Sequence, residues 1–462
     1  MNKNIVIVGA GPSGLFAAYE FLNSKINANI QILEMGNPIE QRVCPAEHGQ
    51  NCAVCSCCNV LCGVGGAGLF SDGKLVEDLD FGGNLPFVES MSSERKNSLV
   101  TYVADTLKKF DGDSKSYVVP DKGTLERLNE KMEKENLLVN LYPVLYMGTA
   151  NLANILTRFA TYLTTKSCPH ISINANKKVL RFYPVENGYD LLMDDNSIVH
   201  ADILIVAVGK SGSSWLKTQL LSYDKSMCFS QKDFCFGLRL ETKSINIKDW
   251  ETLSPDPKIY RYLPNKRKIK THCVCKDGLI RLVKCDGYSL VGGHALLPDT
   301  ASSKGYSHFN ILLSYPKDKF DYRSILNNFK KIAQNKIIVQ DLGTFRDNVS
   351  PKKIRNYKPH MSVMGNLRTI INDDFFINEF LSFLTSLGSI YPGLLNPANT
   401  LYGPVIEWHM DTIPVSAGME TKFPNLFVVG DGAGLSQGIV FSAVTGILSV
   451  HEVITRMKGE SP

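Results

Sequence analysis

The first 36 residues constrain the fold more than any other part of the chain. They open with a short apolar run, Ile5–Val8, which has the length and composition of a buried strand in a parallel sheet. A glycine-rich turn follows, with glycine at positions 9, 11 and 14, and apolar side chains then recur at helical spacing. A second apolar run, Asn29–Leu33, comes after the helical segment. The sequence therefore predicts that the chain begins with a parallel β–α–β unit.

The glycine spacing of this unit, G-x-G-x-x-G, is typical of a dinucleotide-binding turn. Gly9 permits the tight turn, Gly11 lets the backbone approach a pyrophosphate, and Gly14 allows the helix to pack closely on the strand. The helix begins at Pro12 and Ser13, where its free N–H groups and its dipole favour the phosphates. These five residues are the first candidates for cofactor binding.

Glu34 ends the second predicted strand, twenty residues after Gly14. A carboxylate at this position accepts hydrogen bonds from the ribose hydroxyls of an adenosine, and it repels a 2′-phosphate. The combination of strand, turn, helix, strand and carboxylate is a far more specific signal than the three glycines alone. We therefore expect Glu34 to contact the cofactor.

The other end of the chain indicates which dinucleotide is bound. A predicted strand, Asn425–Val429, leads into a glycine turn and then into a helical pattern. This unit resembles the one that returns to the first domain in flavoproteins with two dinucleotide-binding folds. The resemblance implies an Asp on the ribityl chain or pyrophosphate of FAD, and a helix N-terminus that stabilises the anionic reduced flavin. The residues that it implicates are Gly430, Asp431, Gly434, Gly438 and Ile439.

A third segment agrees with the first two. Ala201–Val208 has the pattern of a strand that ends at Gly209, and the hairpin signal Asn187-Gly188 precedes it. Together the three segments resemble the FAD domain of the glutathione-reductase superfamily. The resemblance implies an α/β fold, in which a Rossmann-like FAD-binding domain carries an inserted mixed α+β substrate or cap domain, and it adds Gly209 to the cofactor-binding candidates.

A second G-x-G-x-x-G match, at Gly63, Gly65 and Gly68, does not predict a second nucleotide site. No apolar strand precedes it, and no acidic residue ends a later strand at the required distance. We therefore expect no separate NAD(P)H-binding domain, and the sequence leaves the electron donor or acceptor unidentified.

The segment from Cys44 onward reads CP-x6-C-x2-C-x2-C-x3-CG-x-GGAG-x-FSDGKL. With both ends of the chain it resembles a family of largely uncharacterised FAD-dependent dehydrogenases. The resemblance covers nearly the whole chain, its most specific part is Gly65–Leu75, and it departs from the family at Cys57, where proline is usual. It implies FAD contacts in the glycine loop and the loop after it, at Gly66, Ser71 and Asp72.

Two basic residues near these motifs are further candidates. Arg42 lies eight residues past Glu34, where relatives of this fold contact the pyrophosphate. Lys74 follows the glycine loop, where an ammonium group near flavin N5 or O4 stabilises negative charge. Each has the alternative of being a surface charge.

Four cysteines, Cys52, Cys55, Cys58 and Cys62, have the spacing that bacterial ferredoxins use for iron–sulfur ligation. The proline that follows the fourth ferredoxin cysteine is absent here, and a Cys-Pro pair occurs upstream at Cys44. A [4Fe-4S] cluster would therefore use the first three cysteines with either Cys62 or Cys44. Zinc or thiol redox chemistry, and thiols packed as small apolar groups, are the alternatives.

A second cysteine motif lies in a predicted strand, Thr271–Cys275. Alternation places Cys273 and Cys275 on one face, where adjacent cysteines rarely form a disulfide, and it places His272 on the other. The two thiols are either part of a pocket wall or reactive. With Lys74 they are the candidate catalytic residues.

Charge and composition exclude some functions. A formal net charge of +5 over 462 residues gives no case for nucleic acid. No uninterrupted apolar run reaches the roughly 18 residues of a membrane span, and the N-terminal pattern is not that of a secretory signal. We therefore expect a cytoplasmic protein without a membrane span, in which the twelve cysteines are reduced.

The expected layout is discontinuous. Residues 1–80, 148–218 and 400–462 are expected to form the FAD-binding domain, and residues 81–147 and 219–399 the substrate or cap domain. The predicted function is that of an FAD-dependent oxidoreductase that moves a hydride or two electrons between a small organic substrate and flavin N5. A flavin monooxygenase, and a non-catalytic flavin or iron–sulfur electron-transfer or sensing protein, are the alternatives.

Overall fold

A computed structural model of the chain describes residues 2–80, 90–111, 115–117, 119–165, 170–230, 233–295, 305–316, 321–355, 357–407 and 410–459. Its strands are β1 (Lys3–Val8), β2 (Ala28–Leu33), β3 (Lys74–Val76), β4 (Lys115–Tyr117), β5 (Leu138–Asn140), β6 (Val144–Tyr146), β7 (His170–Asn174), β8 (Val179–Val185), β9 (Gly188–Met193), β10 (Ile198–Ala201), β11 (Ile203–Val206), β12 (Phe234–Lys243), β13 (Lys258–Tyr262), β14 (Lys268–Cys275), β15 (Gly278–Cys285), β16 (Tyr288–Ala295), β17 (Tyr306–Tyr315), β18 (Ile337–Asp341), β19 (Ser362–Met364), β20 (Thr400–Glu407) and β21 (Leu426–Val428).

The helices are α1 (Pro12–Ser24), α2 (Ser93–Lys108), α3 (Lys122–Glu133), α4 (Thr149–Thr164), α5 (Gly209–Tyr223), α6 (Lys248–Leu253), α7 (Tyr322–Ala333), α8 (Leu342–Arg346), α9 (Leu367–Ile371), α10 (Asp374–Ile390) and α11 (Ile439–Met457). Helix α4 buries its apolar side, which carries Leu152, Ile155, Leu156, Phe159 and Leu163. Helix α3 is mostly exposed and buries only Leu128 and Met132.

A five-stranded parallel sheet forms the centre of the first domain, in the order β21-β11-β1-β2-β7. Ile5–Val8 lies at its middle and is buried on both faces, as the continuous apolar run predicts. A three-stranded antiparallel sheet, β10-β9-β8, follows, and its first hairpin turns where Asn187-Gly188 was predicted to turn it. This order of strands is that of the predicted Rossmann-like α/β domain, so the fold class is confirmed.

The second domain is built on an eight-stranded mixed sheet in the order β19-β18-β20-β12-β17-β14-β13-β5. Its central strands pair antiparallel, and its apolar core lies between the sheet and helices that include α7, α9 and α10. The separate hairpin β15–β16 lies against the same sheet. The predicted inserted mixed α+β domain is therefore present.

The division between the domains differs from the predicted one in two places. Strand β20 pairs with β12 and β18, so the C-terminal part of the nucleotide-binding domain begins after Glu407 and not at residue 400. Helix α2 packs its apolar side on α11 and belongs to the core of the first domain, although its residues were assigned to the cap. The predicted boundary at residue 81 lies outside the described residues.

Helix α11 is long and apolar enough to cross a membrane by length and composition. In the fold 72% of its most apolar window is buried, because the helix packs along α1. A Cβ on Gly446 would lie 2.2 Å from the carbonyl oxygen of Ser13, so the two helices touch at their backbones. The apolar character of α11 is explained by this packing.

Candidate functional site

The first glycine turn has the geometry for which glycine is required. Gly9 has φ +109°, and a Cβ there would lie 2.4 Å from the carbonyl oxygen of Ala207. A Cβ on Gly14 would lie 2.0 Å from the carbonyl oxygen of Gly9. Gly11 differs, because an added Cβ would meet only Gly66, with its Cα 3.8 Å away. Since Gly11 caps α1 without a side-chain hydrogen bond, the first N–H groups of the helix stay open to an anion.

The carboxylate of Glu34 connects three loops at the end of β2. Oε2 accepts a hydrogen bond from the N–H of Ala10, and Oε1 accepts from the N–H groups of Gly36 and Gly63, all at 2.9 Å. A carboxylate has roughly four acceptor sites, so one site is left for a ligand hydroxyl. The position at the strand end is as predicted, and the three backbone contacts are additional.

The second glycine loop packs directly on the first. Gly65 and Gly66 have φ +90° and +60°, and a Cβ on Gly66 would lie 2.8 Å from Cα of Gly11. The described residues 51–62 that lead into this loop form no strand. The loop forms a wall of the first glycine turn.

Arg42 has a different role from the predicted one. Its side chain is buried, and its guanidinium donates to the backbone carbonyls of the cysteine–glycine segment, those of Asn59, Val60, Gly63, Val64 and Gly66. Burial lowers the pKa of Arg42 to about 10, against the attraction of Glu34 and of nearby cysteines. Because these carbonyls occupy the guanidinium, Arg42 shapes the loop in place of the expected contact to a pyrophosphate.

The C-terminal turn lies next to the first one. Gly430 has φ +75°, and a Cβ on it would lie 2.5 Å from Oγ of Ser13. Asp431 accepts hydrogen bonds from Ser436 and Ser442 at 2.8 and 3.0 Å, both at Oδ1, so none of the described residues donates to Oδ2. Burial raises the pKa of Asp431, while Lys210 and the two serines oppose this shift. Oδ2 is thus available to a hydroxyl donor.

Three further glycines surround this turn, and two of them leave open space beside it. Gly434 has φ +71°, and its backbone packs on residues 410 and 411. Gly438 (φ +91°) and Gly209 (φ +60°) stand at the starts of α11 and α5, and a Cβ added to either would have no atom within 4 Å. Neither helix start has a side-chain cap, so both leave backbone N–H groups for a ligand.

A small pocket joins the start of α11 to the loop that follows the second glycine segment. It is lined on one side by Gln437–Phe441, which includes Ile439, and on the other by Lys74, Val76, Asp78 and Leu79. Ser71 stands at the entrance to this loop, and its Oγ accepts a hydrogen bond from the N–H of Gly73 at 3.2 Å. The structure therefore brings the predicted residue Lys74 to the start of α11.

Lys74 is held by an acidic neighbourhood. Its Nζ lies 2.8 Å from Oδ2 of Asp72 and also donates to the carbonyl of Val274 in the cap domain. Burial disfavours its charge, but Asp72 and Asp256 outweigh burial and hold the pKa of Lys74 well above its usual value. Lys74 is thus a fixed cation at the junction of the two domains.

The two cap-domain thiols lie at the same junction. Sγ of Cys275 is 3.0 Å from Oδ2 of Asp72 and 3.8 Å from Sγ of Cys273. Nη2 of Arg239 lies 3.0 Å from the thiol of Cys275 and 3.7 Å from that of Cys273. Sγ of both cysteines and a carboxylate oxygen of Asp72 lie within 4.8 Å of one another.

A β-bulge brings these thiols together. Strand β14 pairs His272 with Asn310 but Cys275 with His308, so one extra residue lies between the two pairs. Cys273 has φ +52°, which is strained for a residue with a Cβ. The prediction that the thiols share a face is confirmed, although regular alternation does not produce it.

The thiols of the cysteine loop, residues 44–62, differ from one another in burial. Cys55 is exposed, Cys44, Cys52 and Cys58 are half-buried, and Cys62 is buried, with Sγ 3.6 Å from Oγ of Ser211. Two thiolates on one zinc lie at most about 4.6 Å apart. Among the described residues of this loop no three ligand atoms lie within 4.8 Å of one another.

A second pocket, of about 190 Å³, lies between the start of the cysteine loop and the hairpin β15–β16. Arg281 on its wall pairs with Glu47, and its Nη2 lies 2.9 Å from Nε2 of His294. The remaining polar wall is supplied by Cys44, Lys358 and His360. The pocket is therefore mostly basic.

Comparisons with known proteins give distant similarities. No protein-family profile matches the chain. An uncharacterized protein of Clostridium beijerinckii is 22% identical over 98% of this chain and 80% of its own length. Among solved structures, glycine oxidase from Geobacillus kaustophilus is 13% identical with a TM-score of 0.41, over 100% of this chain and 96% of that chain.

Two other solved structures are similar at the same level. A salicylate hydroxylase substrate complex is 10% identical with a TM-score of 0.45, over 98% of this chain and 79% of that chain. A flavoprotein/dehydrogenase from Cytophaga hutchinsonii is 10% identical with a TM-score of 0.43, over 99% and 80%.

Sequence reasoning missed the polar groups that organise the domain junction. Arg239 and Asp256 were not among the candidates, yet Arg239 contacts both thiols, and Asp256 accepts hydrogen bonds from Lys258 and from the N–H of Val274. A signal for Arg239 did exist, because it is a charged residue inside the otherwise apolar run Phe234–Leu240. A charge in such a run is rarely buried without a specific partner.

Proposed function

We propose that the chain binds FAD and is an oxidoreductase that moves a hydride, or two electrons, to or from a small organic substrate. The observation that carries this proposal is the convergence of two glycine turns and one carboxylate at one edge of the parallel sheet. The turn at Gly9, the carboxylate of Glu34 and the turn at Gly430 follow the carboxyl ends of β1, β2 and β21 in this sheet. Ligands of open α/β sheets bind outside these strand ends.

The residues present fit an FAD molecule. The open start of α1 at Gly11 suits a pyrophosphate, and Glu34 keeps an acceptor site for ribose hydroxyls. Oδ2 of Asp431 suits a ribityl hydroxyl, and the uncapped start of α11 at Gly438 suits negative charge on a ring. When bound, flavin supplies two-electron chemistry, with hydride accepted or donated at N5.

The residues of the domain junction have supporting roles in this proposal. Lys74 holds a positive charge beside the start of α11, where it stabilises an anion. Strand β14 of the cap sheet contacts this region, where Nζ of Lys74 donates to the carbonyl of Val274. The chain supplies binding, orientation and charge to the cofactor.

Gly11 offers a direct test of cofactor binding. A Cβ at Gly11 meets no protein atom closer than 3.8 Å, so Gly11→Ala keeps the apoprotein stable but fills the space beside the helix start. We expect purified wild-type protein to contain extractable FAD and Gly11→Ala to retain at least tenfold less, with an unchanged apoprotein Tm. Wild-type protein that holds no FAD even after reconstitution would refute the proposal.

The cysteine loop is included in the same proposal as the site of a [4Fe-4S] cluster. Cys52, Cys55 and Cys58 would be ligands, with Cys62 or Cys44 as the fourth. A hydrogen bond from Cys57, together with Ser211 and Arg42, lowers the pKa of Cys62, which favours a thiolate there. Anaerobic purification should give about four irons and four sulfides per chain, and a sample with zinc or without metal rejects the cluster while leaving FAD unaffected.

A further inference from the structure

Arg239 is buried in the cap domain, and none of the described carboxylates is bonded to it. It is 1% exposed, and its guanidinium donates to Nδ1 of His308 at 2.8 Å and to Oδ1 of Asn310 at 3.0 Å. Its remaining partners are the carbonyl of Cys273 and the two thiols. A buried guanidinium is stable when an anion pairs with it. Among these partners only a thiol can supply that anion, as a thiolate.

The two thiols differ in the way that a nucleophile and its resolving partner differ. Cys273 is half-buried, and its contact with Cys275, together with Arg239, lowers the pKa of Cys273 to about 6 despite burial. Cys275 is fully buried, and burial together with its contact to Cys273 raises its pKa. The pair therefore holds one thiolate, at Cys273, and one thiol, at Cys275, which donates to Asp72.

A metal ion is disfavoured at this cluster although three ligand atoms meet there. Nη2 of Arg239 is 3.0 Å from Sγ of Cys275, and Nζ of Lys74 is 2.8 Å from Oδ2 of Asp72. Two fixed cations thus already contact the atoms that would bind a metal cation. The arrangement suits a thiolate and not a cation.

We propose that Cys273 and Cys275 form a redox-active dithiol that reduces a low-molecular-weight disulfide. The bulge at Cys273 places the two sulfurs 3.8 Å apart, and Arg239 contacts both. Closure to a disulfide bond of about 2.05 Å needs a movement of less than 2 Å, which a rotation about the side-chain bonds supplies. This activity goes beyond the proposed flavin function and does not depend on it.

The reaction balances as a thiol–disulfide exchange. The thiolate of Cys273 attacks one sulfur of R–S–S–R, so that a mixed disulfide forms and one thiolate, RS⁻, leaves. Cys275 then gives up its proton and attacks Sγ of Cys273, which forms the Cys273–Cys275 bond and releases the second RS⁻. One proton from Cys275 and one from water convert both to RSH. Two protein thiols are thereby oxidised, and one disulfide is reduced to two thiols.

The tryptic map of the chain allows a direct test. Trypsin cleaves after Lys270 and after Lys276, which releases the peptide Thr271–Lys276. This peptide contains both thiols and no other cysteine. Full-length protein is equilibrated with reduced and oxidised glutathione at set ratios, quenched with acid, alkylated and digested. We expect this peptide to convert, in one two-electron transition, from a doubly alkylated form to an unalkylated form two mass units lighter than the free dithiol. Double alkylation at every ratio would overturn the proposal.

Single variants separate the two roles. Cys275→Ser should trap glutathione on Cys273, whereas Cys273→Ser should leave Cys275 unmodified. The reverse pattern overturns the assignment of roles. Cys228→Ser removes an exposed thiol elsewhere and should leave the transition unchanged. Thermal unfolding of each variant verifies that it is folded. If a variant does not fold, the titration of the wild-type protein decides the proposal. Flavin content is measured on the same samples, so a failure of this proposal can be told apart from a failure of the proposed flavin function.

Discussion

The carboxylate of Glu34 accepts a hydrogen bond from the backbone nitrogen of Gly63 at 2.9 Å, which ties the end of β2 to the second glycine loop. The same carboxylate also accepts from Ala10 in the first glycine turn. One buried side chain therefore fixes the distance between the two glycine loops. The residue expected to recognise a ribose is also a structural link between the loops that surround it.

Glu34→Gln should lower both stability and flavin retention. The amide keeps one acceptor oxygen, but its NH₂ group faces at least one backbone N–H that Glu34 now satisfies. An unsatisfied buried donor costs about 1–3 kcal/mol, so we expect the free energy of unfolding to fall by about 2 kcal/mol. Chemical denaturation of apoprotein measures this change, and FAD titration measures the loss of affinity. The control is Glu40→Gln, which alters an exposed carboxylate and should change neither quantity.

A comparison of Gly66→Ala with a control variant should separate two losses of stability, one from backbone strain and one from close packing of the glycine loops. An alanine at position 66 would have to keep φ +60°, and its Cβ would lie 2.8 Å from Cα of Gly11. Gly49→Ala is the matched control, because Gly49 has φ +78° but no atom lies within 4 Å of the added Cβ. The control should lose only the strain of about 1–2 kcal/mol, whereas Gly66→Ala should lose more and also release FAD. Equal losses of stability and of bound FAD in the two variants would contradict the packing of the loops.

The fold could be predicted from the sequence because its signals are local. The run Ile5–Val8 is a buried strand by composition alone, and glycines 9 and 14 stand where a Cβ would collide with the backbone. The role of Arg42 could not be predicted in the same way. Its partners are backbone carbonyls of residues 59–66, which leave no pattern in the side chains.

The thiol cluster shows a second limit of sequence reasoning. The two cysteines were predicted to lie on one face of a strand, yet their contact depends on a bulge and on φ +52° at Cys273. Arg239 lies on another strand, and only the sheet order places β12, β17 and β14 side by side. Long-range pairing of this kind decides the chemistry of the site, and local spacing does not encode it.

Asp256 should make the free energy of unfolding decrease at acidic pH. It accepts hydrogen bonds from Lys258 and Tyr142, and although burial opposes its charge, Lys258 and Lys74 hold its pKa below the usual range. Because the folded pKa is depressed, the stabilisation is present above the unfolded pKa of about 3.9 and is lost as pH falls below it. We expect Asp256→Asn to cost about 3 kcal/mol at pH 7.

The measurement is the difference in free energy of unfolding between wild type and Asp256→Asn from pH 7 to pH 3. This difference should shrink as the pH falls below about 3.9, because Asp256 of the unfolded wild-type chain takes up a proton while the folded carboxylate stays ionised. Asp80→Asn is the control, since Asp80 pairs with Lys96 at the surface and its side chain is 64% exposed. Its effect should stay within about 0.5 kcal/mol throughout. A difference for Asp256→Asn that is constant with pH would show that the carboxylate does not titrate with folding.

Two adjacent glycines in β16 allow Arg239 to be disturbed without removing it. A Cβ on Gly293 would lie 2.8 Å from Cζ of Arg239 and 2.5 Å from Cε1 of His308. A Cβ on Gly292 would instead meet Cγ2 of Val283 at 2.8 Å, on the other face of the strand. Gly293→Ala should therefore displace the guanidinium, and Gly292→Ala should not.

The pH dependence of Cys273 alkylation reports this displacement. In wild type the contact with Cys275 and the charge of Arg239 lower the pKa of Cys273 to about 6, so the alkylation rate should reach half its maximum near that pH. Gly293→Ala should move the midpoint toward the value of about 8.5 for a free cysteine, because one source of thiolate stabilisation is lost. Gly292→Ala, at a similar loss of stability, should keep the wild-type midpoint. If both variants move the midpoint equally, general loosening of the sheet and not Arg239 sets the reactivity of Cys273.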